Sequence, residues 1–167
     1  MKKLFTIIFL FCCLKSIGFA QESKLISFEI KDQFDRIYTE ESFKDSIIIL
    51  IGSDKDGSEY NGLWAQAIVD SLKNKKGFEY IKIVPQADMS VVPAFMRAVV
   101  KLMLPKEKHK WFLVDWEGVF PKTYKFKPQS TNILIFDRER NFVYQEFGQT
   151  VDQQKLDIIL EKLKSIM

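Results

Sequence analysis

The run Ile47-Ile48-Ile49-Leu50-Ile51 constrains this chain more than any other feature. Four of its five residues are β-branched and none is polar. Side chains of that shape fit a pleated surface, and five residues are a strand's length rather than a helix's. A strand that is apolar at every position has both faces buried, so the sheet it belongs to must be covered on each side. Gly52 to Ser58 then form a turn of seven small or charged residues, and a helical pattern follows. This is a strand-to-helix junction of the kind at which α/β proteins place their chemistry.

The flanking segments supply the rest of such a sheet. Leu25–Ile30 alternates as a strand, Ile37–Thr39 reads as its short return, and 40–44 as one helical turn. A helix is expected over 58–74, with Ser58 as N-cap, Glu59 in the first turn, and Leu63, Ala67, Ile68 and Leu72 buried. Strands are expected at 78–84, 111–115, 131–137 and 142–147, the last two as a hairpin with Asn141 at positive φ. A helix over 90–104 takes Ser90 as N-cap and tolerates Pro93 in its first turn. Val119–Phe126 is a short helix or irregular turn. Thr150 to Gln153 read as a capping box for a last helix, with Leu156, Ile159, Leu160, Leu163 and Ile166 on one face. The order predicts an α/β fold, a three-layer α/β/α sandwich around a mixed central sheet.

The first twenty residues stand apart from this domain. Lys2 and Lys3, an apolar run from Leu4 to Leu14, and Gly18-Phe19-Ala20 make a signal-peptide pattern with cleavage expected before Gln21. The expected organisation is therefore a leader, 1–20, and one domain, 21–167, placed in the periplasm or secreted with no membrane span after cleavage. Leu10-Phe11-Cys12-Cys13 offers a second route, a lipid anchor at Cys13 or Cys12. Both cysteines of the chain lie in the leader, so residues 21–167 hold none. Loss of Lys2, Lys3 and Lys15 leaves 22 basic against 22 acidic residues. There is then no overall basic excess to hold nucleic acid phosphates or acidic lipid, and no nucleic-acid partner is expected.

Three segments carry a resemblance: FEIKDQFDRIYTEESFKDSIIILIGS, LVDWEGVFPKTYKFKP and TNILIFDRERNFVYQEFG. In this order they resemble a thioredoxin-like protein of the redoxin type, which includes peroxiredoxins and exported thiol-disulfide proteins, over about Phe28 to Met167. The resemblance implies that the turn after the central strand is the position of the redox cysteines. Here that position falls on Ser53, Asp54, Lys55, Asp56, Gly57 and Ser58, and none is cysteine. It also implies a cis-proline where this chain has Thr131, expected to be trans. The chain thus reads as a degenerate member lacking the redox cysteines.

Asp54, Asp56 and Ser58 alternate as in a calcium loop, but Glu59 stands where glycine is required and Ala65 where the last carboxylate would be. The expectation is a solvated turn with no metal. Ser53 or Ser58 as nucleophile would need a base, and His109 is the only histidine. One histidine and no cysteine in 21–167 also argue against the usual zinc and copper sites, and no cofactor is expected. Asp54 with Asp56, or Asp88 with Asp115, are the acid pairs placed at strand ends.

The 90–104 segment is apolar nearly all round, interrupted by Arg97 and Lys101. Phe95, Met96, Val99, Leu102 and Met103 cannot all face one sheet, so this segment is expected to be core or a protein-partner, homodimer or membrane-contact surface. The functional expectation is an exported binding or accessory module of the cell envelope without thiol catalysis. The alternatives are a redoxin-type oxidoreductase acting without its own cysteine pair and a lipid-anchored envelope component.

Overall fold

A computed structural model describes residues 23–167. The leader, its cleavage point and Cys12 and Cys13 lie outside the described residues. A two-stranded antiparallel ribbon opens the domain: β1 (Glu29–Lys31) pairs with β2 (Ile37–Thr39), and a 3-10 turn at Glu40–Phe43 follows. The predicted strand at 25–30 is thus shorter and later. The central strand is β3 (Ile47–Ser53), every residue of it buried.

Helix α1 (Ser58–Leu72) leads to β4 (Ile81–Asp88), which lies parallel to β3. A 3-10 turn at Ala94–Met96, helix α2 (Arg97–Met103) and β5 (Leu113–Asp115), parallel to β4, come next. Helix α3 (Val119–Tyr124) precedes the antiparallel hairpin of β6 (Thr131–Phe136) and β7 (Phe142–Gly148), and α4 (Gln153–Ile166) closes the chain. The strand order is β5-β4-β3-β6-β7, with β6 antiparallel to β3. This is the mixed sheet expected.

Alternate residues of β3 serve two cores, as a strand covered on both faces requires. Ile47, Ile49 and Ile51 pack with Ile133 and Ile135 beneath Trp64, Ile68 and Leu72 of α1 and Leu156, Ile159 and Leu163 of α4. Ile48 and Leu50 point the other way, to Val84, Leu113, Leu134 and Phe136 under Phe120 and Tyr124 of α3, with Leu25, Phe28, Ile30 and Phe43 from the chain's start. Tyr124 also ties that start down: its hydroxyl accepts from Ile26 N at 3.0 Å and donates to Lys24 O at 2.9 Å.

Several local expectations are corrected. Gly57, not Ser58, is the N-cap of α1. Leu63 is exposed and Trp64 takes the buried position. Trp64 is drawn inward because its indole N–H donates to Gln149 O at 3.0 Å and its ring lies against Gly148. Residues 78–80 form a 3-10 turn, and the strand instead continues through Gln86–Asp88. The 90–104 helix is broken: Pro93 is extended at ψ 144°, and Ser90 N binds Asp88 Oδ1 instead of starting a helix. Arg140, with φ 66°, takes the left-handed position expected of Asn141. The last helix is capped by Asp152, whose side chain accepts from Lys155 N at 3.0 Å, and not from Thr150.

Candidate functional site

The turn after β3 is tied to the loop before β6 residue by residue. Ser53 ends β3 fully buried, and its hydroxyl accepts from Asn61 Nδ2 at 2.8 Å. Asn61 lies in the first turn of α1, on the same stripe as Trp64, Ile68 and Leu72. Its Oδ1 accepts from the hydroxyl of Thr131, also buried, at 2.8 Å. Asp54 spans the same gap: Oδ1 accepts from Gly57 N at 2.8 Å and Oδ2 from Gln129 N at 2.9 Å.

Gly57 is what lets these two segments touch. A Cβ built there would stand 2.6–2.8 Å from the backbone of Ser130. Ser130 is itself held, because Asn132 donates to its carbonyl and to Lys127 O, both at 3.0 Å, and accepts from Lys127 N at 2.7 Å. All described peptide bonds are trans, including the one before Thr131.

The site residues named from sequence therefore divide. Ser53, Asp54, Gly57 and Thr131 come together in one hydrogen-bonded junction, and Ser58 Oγ donates to Lys55 O within the turn. Lys55 and Asp56 point to solvent. The junction is less solvated than expected, since Asp54 is a staple between two loops. Asn61, Gln129 and Asn132 were missed, and only Asn61 left a trace: a polar residue on the apolar stripe of α1. His109 stands in a 3-10 turn ahead of β5, separated from β3 by β4, so no base adjoins Ser53.

The second acid pair is real as a geometry. Asp88 and Asp115 are register partners on β4 and β5. Asp115 is buried and accepts from Val119 N at 2.9 Å, Phe120 N at 3.0 Å and Gln86 Nε2 at 3.2 Å. Burial pushes its carboxyl up, those backbone donors pull it back, and the Asp88 charge adds to the rise. A cleft of about 410 Å³ opens beside it, lined by Lys31, Asp32, Arg97 and Lys101 among others.

The five apolar residues named within 90–104 are all exposed, Phe95, Leu102 and Met103 at about four-fifths and Met96 and Val99 less so. None belongs to either core.

No family model matches the chain, and no curated protein does. Solved structures do. Yeast Sco1 with copper bound superposes at TM-score 0.62 with 16% identity, covering 89% of this chain and 97% of that one. The exposed lipoprotein thioredoxin Etrx1 of Streptococcus pneumoniae matches at 0.59 with 18% identity, over 84% and 99%. A thiol peroxidase of Chromobacterium violaceum matches at 0.55 with 20% identity, over 87% of each. The chain has a thioredoxin-like fold.

Proposed function

We propose that this chain is an exported binding or assembly module of the cell envelope, built on the thioredoxin-like fold and working without thiol chemistry. One observation carries the reading. The position at which redoxins are expected to hold their cysteines is occupied by polar groups that bond one another: the side chains of Ser53, Asn61 and Thr131 in a row, and the Asp54 carboxylate accepting from the backbone N–H groups of Gly57 and Gln129. A hydroxyl nucleophile needs a neighbouring base, and His109 lies ahead of β5, beyond β4 from Ser53. Fold alone carries no activity without site chemistry. The junction in this reading is a rigid platform, and the exposed 91–103 segment is the docking surface. The structural likeness to an exposed lipoprotein thioredoxin and to Sco proteins, one of them described as a member of a family of cytochrome c oxidase assembly proteins, is in keeping with it.

The test is an insulin-reduction and peroxide-consumption assay on the chain from Gln21, beside capture of partners from the envelope. Blank turnover with stoichiometric capture is expected. Turnover above that of Ser53→Ala and Thr131→Val variants would overturn the reading.

A further inference from the structure

Helix α2 is inside out. Arg97, Lys101 and Leu104 stand at i, i+4 and i+7, the spacing of a buried helical stripe. Arg97 donates to Glu117 Oε1 at 2.7 Å and Trp116 O at 3.0 Å, Lys101 pairs with Asp35, and Leu104 is buried. The charged stripe therefore holds the helix to the body. Val99, Leu102 and Met103 occupy the opposite face, and Val91 and Phe95 continue it upstream. Of eleven large apolar side chains exposed among the described residues, six lie between Val91 and Met103.

Shape and charge both bear on what covers this face. Val91, Phe95, Leu102 and Met103 are 83%, 81%, 78% and 79% exposed, so they stand proud as a ridge and line no groove. No acidic residue occurs between Asp88 and Glu107, whereas Arg97, Lys101, Lys106, Lys108 and Lys110 follow closely. Counting Asp35, Asp88, Glu107 and Glu117, basic groups still outnumber acidic ones five to four. Lys106 and Lys108 have no ion-pair partner among the described residues. The even balance of the whole domain hides this local excess.

We propose that the ridge from Val91 to Met103 seats the domain on the surface of an anionic lipid bilayer, its apolar side chains entering the headgroup boundary and Lys106 and Lys108 meeting lipid phosphates. Apolar knobs beside lysines are the composition of interfacial segments that lie on a membrane without crossing it. No described helix is long and apolar enough to cross one. A second copy docked through the same ridge would set a net-positive patch against itself, as a two-fold contact requires. The inference rests on the proposed function, in which this segment is the docking surface, and names its partner.

Flotation of the chain from Gln21 with phosphatidylcholine vesicles, with and without phosphatidylglycerol, tests it. This chain holds every described element. Flotation with anionic vesicles is expected, falling at least about tenfold in Phe95→Asp/Leu102→Asp. Lys106→Gln/Lys108→Gln should lose about thirtyfold on anionic vesicles only. Circular dichroism checks each fold, and Leu102→Gln replaces the double variant if that fails. No flotation, flotation unchanged by these variants, or sedimentation as a dimer that Leu102→Gln dissociates would overturn the proposal. Thiol turnover would instead sink the functional reading and leave vesicle binding untouched.

Discussion

Thr131 and Asn61, seventy residues apart, share a hydrogen bond of 2.8 Å in which the threonine hydroxyl donates to the amide oxygen. The bond spans the junction between the turn after β3 and the start of β6, and Asn61 extends it to Ser53. Two of its three members are fully buried, so the chain of donors and acceptors must be complete to be tolerated. A thioredoxin-like fold that keeps this end ordered without a thiolate or a cis-proline does so through these amide and hydroxyl groups.

Asn61→Ala removes the middle member and leaves the buried hydroxyls of Ser53 and Thr131 without that partner. Leaving buried polar groups unpaired costs about 1–3 kcal/mol. Thr131→Val should cost less, about 1 kcal/mol, because the half-buried Asn61 can turn to water. Urea denaturation of both variants checks this. Equal stability of Asn61→Ala and wild type would show that the junction is not cooperative.

Gly57→Ala should destabilise by sterics alone. Its φ of −83° suits any residue, so no backbone strain enters. The added Cβ meets backbone atoms of Ser130 that Asn132 holds in place, and those atoms cannot swing aside as a long side chain would. A cost of about 1–3 kcal/mol is expected, with faster amide exchange at Gln129, the donor to Asp54. A thermal-unfolding midpoint at or above wild type would mean the two loops separate freely.

What was legible in the sequence follows from what is local. The run 47–51 stated the central strand and its two covered faces, because every position in it is apolar. Helical periodicity placed α1 but set Leu63 inward where Trp64 belongs. The phase is decided by Gln149 and Gly148, some 85 residues away, and 3.6-residue spacing fits either choice. The 90–104 segment was drawn as one helix because an apolar sequence shows no face, and Pro93 was allowed inside a turn that it breaks. The place of the hydrogen-bonded junction was readable by resemblance at Ser53, Asp54, Gly57 and Thr131. Its substance, the bonds of Asn61 and Gln129, was not, because each is a long-range pairing of ordinary polar residues.

Tyr124→Phe tests how the start of the domain is fastened. The hydroxyl bridges Ile26 N and Lys24 O, directly after the expected leader. Its loss should lower stability by about 1–2 kcal/mol and leave the aromatic packing against Phe120, Phe136 and Phe142 intact. The readout is proteolysis near Lys24, expected to quicken severalfold. Unchanged cleavage would mean that the backbone bonds from Leu25 N to Arg140 O and from Phe142 N to Ser23 O secure the segment without it.

Asp115 sets a pH dependence opposite in sign to that of Glu40. Burial raises its carboxyl above the usual 3.8, with the Asp88 charge adding to the rise. Its stabilising contribution is then fully present below about pH 3.8 and is lost as pH climbs through the raised folded-state value. Glu40 works the other way: the Ser27 hydroxyl and Phe28 N–H hold its carboxyl low, so its contribution appears above its unfolded value and fades as pH falls through the folded one. Wild type therefore mixes both slopes, and Asp115→Asn isolates one. The variant keeps a side chain of the same shape, and its amide can donate to Gln86 Oε1, which is buried without a partner, once the Gln86 amide turns over. Its offset from wild type through the rearranged bonds is independent of pH. The stability difference, measured by denaturant titration at half-unit steps from pH 3 to pH 7, should move steadily toward the variant and level off once Asp115 is ionised in both states. A difference that stays flat across that range would remove the buried carboxylate as its cause.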